Sequence, residues 1–191
     1  MKVISTQQMR ELEQRAMTEF QVPGEALMDR AGYGVALCVD RLYPEPEATD
    51  VLLIAGRGNN GGDAFVAARY LKEWGFHVQV WLAGAVQDVR GDARVHMTRL
   101  KTAGVKIEEF PTQEDWDDVT LDRCGPVAGV SVVVDGVLGT GLDGPARGPA
   151  AGAIRYINSL MREARVVAID VPSGLHSDSG LAEGEAVYAD V

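Results

Sequence analysis

The 191-residue sequence predicts an α/β fold: a three-layer, doubly wound, Rossmann-like sheet, mostly parallel, preceded by two N-terminal helices. Three observations lead there. Unbroken apolar runs at 51–55, 130–134 and 166–169 have the composition of strands buried on both faces. Helical patterns of about a dozen residues alternate with the strands, which implies parallel βαβ units with right-handed crossovers. Each apolar run also feeds a loop rich in glycine or turn-forming residues, and ligands of such sheets bind beyond the carboxyl ends of the strands.

The elements follow in order. Ser5 and Gln8 make a capping box, and Met9, Leu12, Ala16 and Phe20 continue at helical spacing until Val22-Pro23-Gly24. A second helix over 25–42 carries Leu27, Ala31, Val35, Cys38 and Leu42 on one stripe and stops before Pro44-Glu45-Pro46. These two helices are expected to pack on the sheet or on a second subunit. Strand 51–55 leads through Gly56, Gly58, Gly61 and Gly62 into a helix expected to begin near Asp63 and run to Trp74. A strand over 77–82, a helix over 92–103 and a short strand over 105–107 come next. Residues 108–128 are acidic and read as irregular, with Trp116 anchoring them to the core. Strand 130–134, a helix over 149–161 and strand 166–169 complete the pattern. Strands 51–55 and 130–134 are the expected neighbours at the topological switch point, so the loops at 56–63, 135–145 and 170–174 should converge on one cleft.

Composition narrows the function. A hydrophobic fraction of 46% over 191 residues supports one domain with a substantial core. A formal charge of −10, with no basic run, argues against nucleic acid and anionic membrane as partners. No apolar run approaches a membrane span and the amino terminus lacks the apolar stretch of a signal peptide, so a cytoplasmic location is expected. Cys38 and Cys124 stand apart from each other and from the histidines, which speaks against a disulfide framework or a zinc site.

The loop at 56–62 satisfies the G-x-G-x-x-G pattern through Gly56, Gly58 and Gly61. An oxidoreductase would also carry an acid at the end of the next strand to hold the ribose, and Leu82-Ala83-Gly84 has none. The Gly-Lys-Ser/Thr of a P-loop is missing as well. What the loops share is acid: Asp63 at the expected helix start, and Asp135 and Asp170 each directly after an apolar strand. Singly, these would cap a helix or fasten turns. Together, in a glycine-lined cleft that admits a nucleotide, they call for a counter-cation. The groups at hand, the Asn59 and Asn60 amides, Asp135 and the Ser173 hydroxyl, are oxygen donors, which suit a hard ion. A carboxyl among acids has a raised pKa, fit for proton transfer, and Asp170 is the first candidate. His77, His96 and His176 lie in contexts that do not mark catalysis, and no G-x-S-x-G nucleophile is present.

Three ordered motifs carry a resemblance over nearly the whole chain. Gly-Arg-Gly-Asn-Asn-Gly-Gly-Asp at 56–63, Val-Asp-Gly-Val-Leu-Gly-Thr-Gly-Leu at 134–142 and Ile-Asp-Val-Pro-Ser-Gly-Leu at 169–175 resemble the YjeF N-terminal domain family, the NAD(P)H-hydrate epimerases. The segment Ile4-Ser5-Thr6-Gln7-Gln8-Met9-Arg10, Pro23-Gly24 and Leu27-Met28 are similar too. The resemblance implies an isomerase of metabolite repair that interconverts the R and S forms of hydrated NADH and NADPH, with a potassium ion in its site. Carried over by matching positions, Asn59, Asn60, Gly61, Gly62, Asp63, Gly139, Thr140, Gly141, Leu142, Asp143, Gly144, Pro145 and Asp170 would bind the hydrated nucleotide. Asn60, Asp135 and Ser173 would hold potassium. Asp170, helped by Asp63, would move the proton. A homodimer is implied, and a fused or separate ADP/ATP-dependent NAD(P)H-hydrate dehydratase as partner. The chain departs from the family at Asp29-Arg30, where Glu-Asn is frequent, at Ala64, where glycine is usual, and at its last residues, where further strands normally follow. The domain over 1–191 is therefore expected to lack its last strands. The competing readings are a non-catalytic scaffold of the same fold, binding a nucleotide or a partner, and an ordinary NAD(P) oxidoreductase.

Overall fold

The computed structural model describes residues 4–121, 129–142 and 144–191. Helix α1 spans Thr6–Glu19 and α2 spans Gly24–Leu42. Strand β1 (Asp50–Ala55) is followed by α3 (Asn59–Glu73), β2 (His77–Leu82), α4 (Gly91–Thr102), β3 (Ile107–Glu109), α5 (Gln113–Leu121), β4 (Val132–Gly136), α6 (Pro149–Leu160) and β5 (Arg165–Ala168). The five strands are parallel, in the order β3-β2-β1-β4-β5. The order in which strands are added reverses between β1 and β4, which pair from Val51 with Val132 to Ala55 with Gly136.

Alternation along β1 divides the core. Val51, Leu53 and Ala55 face a cluster with Met28 and Val39 of α2, Phe65 and Leu71 of α3, and Met97 and Leu100 of α4. Leu52 and Ile54 face the other cluster, with Trp81, Trp116, Ile154 and Ile157. Helices therefore cover both faces, the three layers expected of a doubly wound sheet. Residues 190 and 191 add hydrogen bonds to β5, Asp190 N to Val166 O at 2.8 Å and Ala168 N to Val191 O at 2.8 Å.

Several elements depart from the sequence expectation. Helix α3 starts at Asn59, four residues before Asp63, with Gly58 as its N-cap. Gly61 and Gly62 are thus helical, and Asp63 does not cap. The reason is proximity: a Cβ on Gly61 would lie 1.8 Å from the Gly56 carbonyl oxygen. Strand β4 runs to Gly136, so Asp135 stands on the strand, opposite Ile54 and Ala168, and does not follow it. Strand β3 is displaced to 107–109, and β5 begins and ends one residue earlier than expected. The stretch read as irregular contains α5, with Trp116 fully buried as its anchor; residues 122–128, Cys124 among them, lie outside the described residues.

The two leading helices also differ. On α2 the buried stripe is Met28, Gly32, Ala36 and Val39, one residue out of phase with the predicted one. Gly32 lets α2 approach α3, since a Cβ there would lie 2.4 Å from Val66 Cβ, and large apolar residues do not report such a contact. Asp29 staples the same pair of helices, accepting from Arg69 Nη2 and from Tyr70 Oη at 2.9 Å each. Helix α1 has the expected capping box but buries no side chain; Met9, Leu12 and Phe20 are exposed, so it does not pack on the sheet.

Candidate active site

The carboxyl ends of β1, β4 and β5 lie side by side, and the backbone sews their first loop residues together. Gly56 N donates to Gly136 O at 2.9 Å, and Ile169 N donates to Asp135 O at 3.1 Å. Glycine at 56 lets the two turns touch, since a Cβ there would meet Val137 O at 1.9 Å. Thus residues 56–58 with the first turn of α3, residues 137–142 and residues 169–174 meet in one cleft at the end of the sheet.

The centre of that cleft is the Leu138 peptide. Asn60 Nδ2 donates to Leu138 O at 2.8 Å, while Leu138 N donates to Ser173 Oγ at 2.8 Å. Ser173 has one hydroxyl proton, and the 2.6 Å contact to Asp135 Oδ1 takes it ahead of Leu138 O at 3.0 Å. Asp135 accepts in addition from Ser173 N at 2.8 Å and from Val137 N at 3.2 Å. Asn60 and Ser173 therefore bond to one peptide unit, and Asp135 joins them through Ser173. Leu138 itself escaped the sequence reading, because a backbone group in a loop leaves no signature in residue type.

Asp135 and Ser173 are 1% exposed each. Burial pushes the Asp135 carboxyl up from its ordinary value, and the hydrogen bonds from Ser173 and Val137 pull it back. All three donors act on the ionised form, and no cationic side chain is bonded to it among the described residues. The set is carboxyl, amide, hydroxyl and main-chain carbonyl oxygen, so its donor chemistry suits a hard cation. No group of three His, Cys, Asp or Glu side chains able to hold a metal is present among the described residues.

Asp63 and Asp170 form the second part of the site. Asp170 is exposed and its Oδ2 accepts from Thr140 N at 2.9 Å, fastening the loop after β4 to the loop after β5. Glycine at 139 admits that carboxylate, for a Cβ would lie 2.7 Å from Asp170 Oδ2. Asp63, half-buried one turn into α3, has its carboxyl raised from the ordinary 3.8 to about 7. Desolvation is the main cause, followed by the charges of Asp170 and of Glu13 on α1. The raised carboxyl is thus Asp63, the residue the sequence reading ranked second. Glu13 was not singled out in the sequence, since its partner lies fifty residues away in the chain.

The remaining candidates fall on the same rim. Asn59 is exposed at the start of α3, and Gly61 and Gly62 are buried behind it. Gly139, Thr140, Gly141 and Leu142 form a turn closed by Leu142 N to Gly139 O at 3.3 Å, and Gly144 and Pro145 continue it beside residues 183 and 184. Asp143 lies outside the described residues. The histidines are elsewhere: His77 pairs with Asp50 at 3.5 Å, His96 is buried with Nε2 at 2.9 Å from Glu25 O, and His176 Nδ1 accepts from Ser179 N at 3.2 Å.

Comparison with known proteins agrees with this geometry. The profile of the YjeF-related protein N-terminus family matches residues 24–191. The chain belongs to that family. An NAD(P)H-hydrate epimerase of Rhodopirellula baltica is 35% identical over 177 residues, 93% of this chain and 67% of the relative. A bifunctional NAD(P)H-hydrate repair enzyme Nnr of Methanopyrus kandleri is 40% identical over 167 residues, 86% of this chain but 32% of the relative. The crystal structure of yeast ynu0 (YNL200c) superposes with a TM-score of 0.83 at 26% identity, covering 99% of this chain and 78% of that one. The chain therefore spans about two thirds of the first relative and about a third of the bifunctional one.

Proposed function

We propose that this chain is an NAD(P)H-hydrate epimerase, an isomerase that interconverts the R and S forms of hydrated NADH and NADPH. The observation that carries the reading is the convergence of three strand-end motifs on one cleft in a chain 35% identical to a protein of that name. The substrate is an anionic dinucleotide, and the rim formed by 59–63, 139–142, 144, 145 and Asp170 supplies backbone N–H groups and the start of α3 to receive it.

The chemistry asked of the site is inversion at the ring carbon that carries the added hydroxyl. Asp63, divided between its two protonation states near neutral pH, gives its proton to that hydroxyl. The C–O bond breaks, water leaves, and the lone pair of the neighbouring ring nitrogen carries the positive charge. Water then adds to the opposite face, a new C–O bond forms, and the proton released returns to the carboxylate pair. Asp170 raises Asp63 by its charge and holds the 139–142 turn through Thr140. No oxidant or reductant enters.

Asn60, Asp135 and Ser173 would hold a potassium ion, together with the main-chain oxygen of Leu138. A cation there would supply charge compensation for Asp135 and for the incoming phosphates. The reading is supported by the oxygen-only donor set and by the burial of Asp135. A homodimer and an ADP/ATP-dependent dehydratase acting on the same hydrate are the partners proposed, the second in line with the bifunctional relative. No helix among the described residues is long and apolar enough to cross a membrane, and we propose a cytoplasmic site of action.

The test is direct. The R epimer of hydrated NADH is incubated with the protein and followed by chromatography, with potassium present and after exchange into a potassium-free buffer. Growth of the S epimer, faster with potassium, is expected. A change in nicotinamide absorbance would indicate hydride transfer instead, and no change of either kind would leave only a binding scaffold.

A further inference from the structure

Helix α1 buries no side chain, yet one of its faces is tied to the mouth of the cleft. Thr6, Arg10 and Glu13 fall at i, i+4 and i+7, a single stripe of a helix. Thr6 donates to Asp178 Oδ1 from its N at 2.9 Å and from its Oγ1 at 3.2 Å, and its hydroxyl lies 2.7 Å from Ser177 Oγ. Arg10 Nη2 donates to the Thr140 carbonyl oxygen at 3.5 Å. Glu13 acts on Asp63 through its charge. The stripe thus bonds to the segment after β5 and to the turn after β4, and its charge acts on Asp63 of α3. Helix α1 is a strap across the three segments that build the site, although it precedes the residues matched by the family profile.

We propose that Arg10 binds the diphosphate of the dinucleotide, held at the edge of the 139–142 turn by α1. The proposal rests on the epimerase reading for its substrate. The walls of the cleft carry Asp63, Asp170 and Glu13, so a diphosphate entering it meets like charge unless a cation stands at the rim. Arg10 takes part in no ion pair among the described residues, though Asp178 feels its charge at longer range. Its guanidinium has five N–H donors, and one contact to Thr140 leaves the rest of the fork for phosphate oxygens. Arg57 is turned the other way, across Gly84 toward Asp88 Oδ2 at 3.9 Å.

Titration with ADP-ribose and with adenosine separates the diphosphate from the rest of the ligand. Arg10→Ala is expected to weaken ADP-ribose about tenfold and leave adenosine unchanged, as for loss of a charge-assisted contact. Arg10→Lys should recover part of the loss, and Arg15→Ala, on another face of α1, should match the wild type. In turnover the same Arg10→Ala should raise KM for the hydrate with little effect on kcat. Wild-type ADP-ribose affinity in Arg10→Ala, equal losses for adenosine, an equal loss in Arg15→Ala, or no ADP-ribose binding by the wild type would each overturn the proposal. If the wild type binds ADP-ribose through Arg10 but does not epimerise, the functional reading fails and the Arg10 contact stands.

Discussion

At the scale of single residues, burial and the charges of Asp170 and Glu13 hold the Asp63 carboxyl at about 7. The linkage to stability follows in sign. Between the ordinary 3.8 and about 7 the folded chain binds a proton that the unfolded chain lacks, so stability falls as pH rises through that window and is level above it. The full difference is ~4 kcal/mol, and solvent reaching the half-buried group reduces it to about 2 kcal/mol. Asp63→Asn should therefore be the more stable protein at pH 8, by that margin in urea unfolding, with the gap nearly closed at pH 4. Activity has the opposite requirement. With the protonated carboxyl as donor, kcat/KM should decline above about pH 7, and Glu13→Gln, which removes one repelling charge, should move that decline to lower pH in a pH–rate profile. Of these roles the sequence disclosed the residue types and the loops, while the order of Asp63 and Asp170 depended on burial, which spacing along the chain does not report.

At the scale of elements, long apolar runs were legible and their limits were not. Asp135-Gly136 has poor strand propensity, yet pairing with Ile54 and Ala55 and the bonds from Ser173 keep both residues in β4. Likewise the glycines of α3 serve close approach, Gly61 to Gly56 and Gly62 to Met28 of α2, where pattern alone suggested a loop. Helix α5 was hidden by its acids, and among its described side chains Trp116 is the fully buried one. That side chain, Trp116, is packed with Trp81, Phe110 and Tyr156 at ring distances of 6.0, 4.6 and 5.7 Å. Trp116→Ala should cost about 3–5 kcal/mol in denaturant unfolding. A loss under about 1 kcal/mol would mean that α5 is not fixed by this anchor.

At the scale of the whole molecule, the reversal of strand order between β1 and β4 decides where chemistry occurs. It brings residues 60, 63, 135, 138, 170 and 173, drawn from three distant stretches, to one end of the sheet. The doubly wound topology was readable because alternating strands and helices leave few ways to connect a parallel sheet. The strap formed by α1 was not, because a helix that buries nothing writes no hydrophobic phase for its true face. The most direct measurement of the account is Asp63→Asn assayed beside the wild type, for R-to-S conversion of hydrated NADH by chromatography and for nucleotide affinity by titration. The account predicts conversion in the wild type, loss of conversion in the variant, and affinity retained in both. Full conversion by the variant would contradict it.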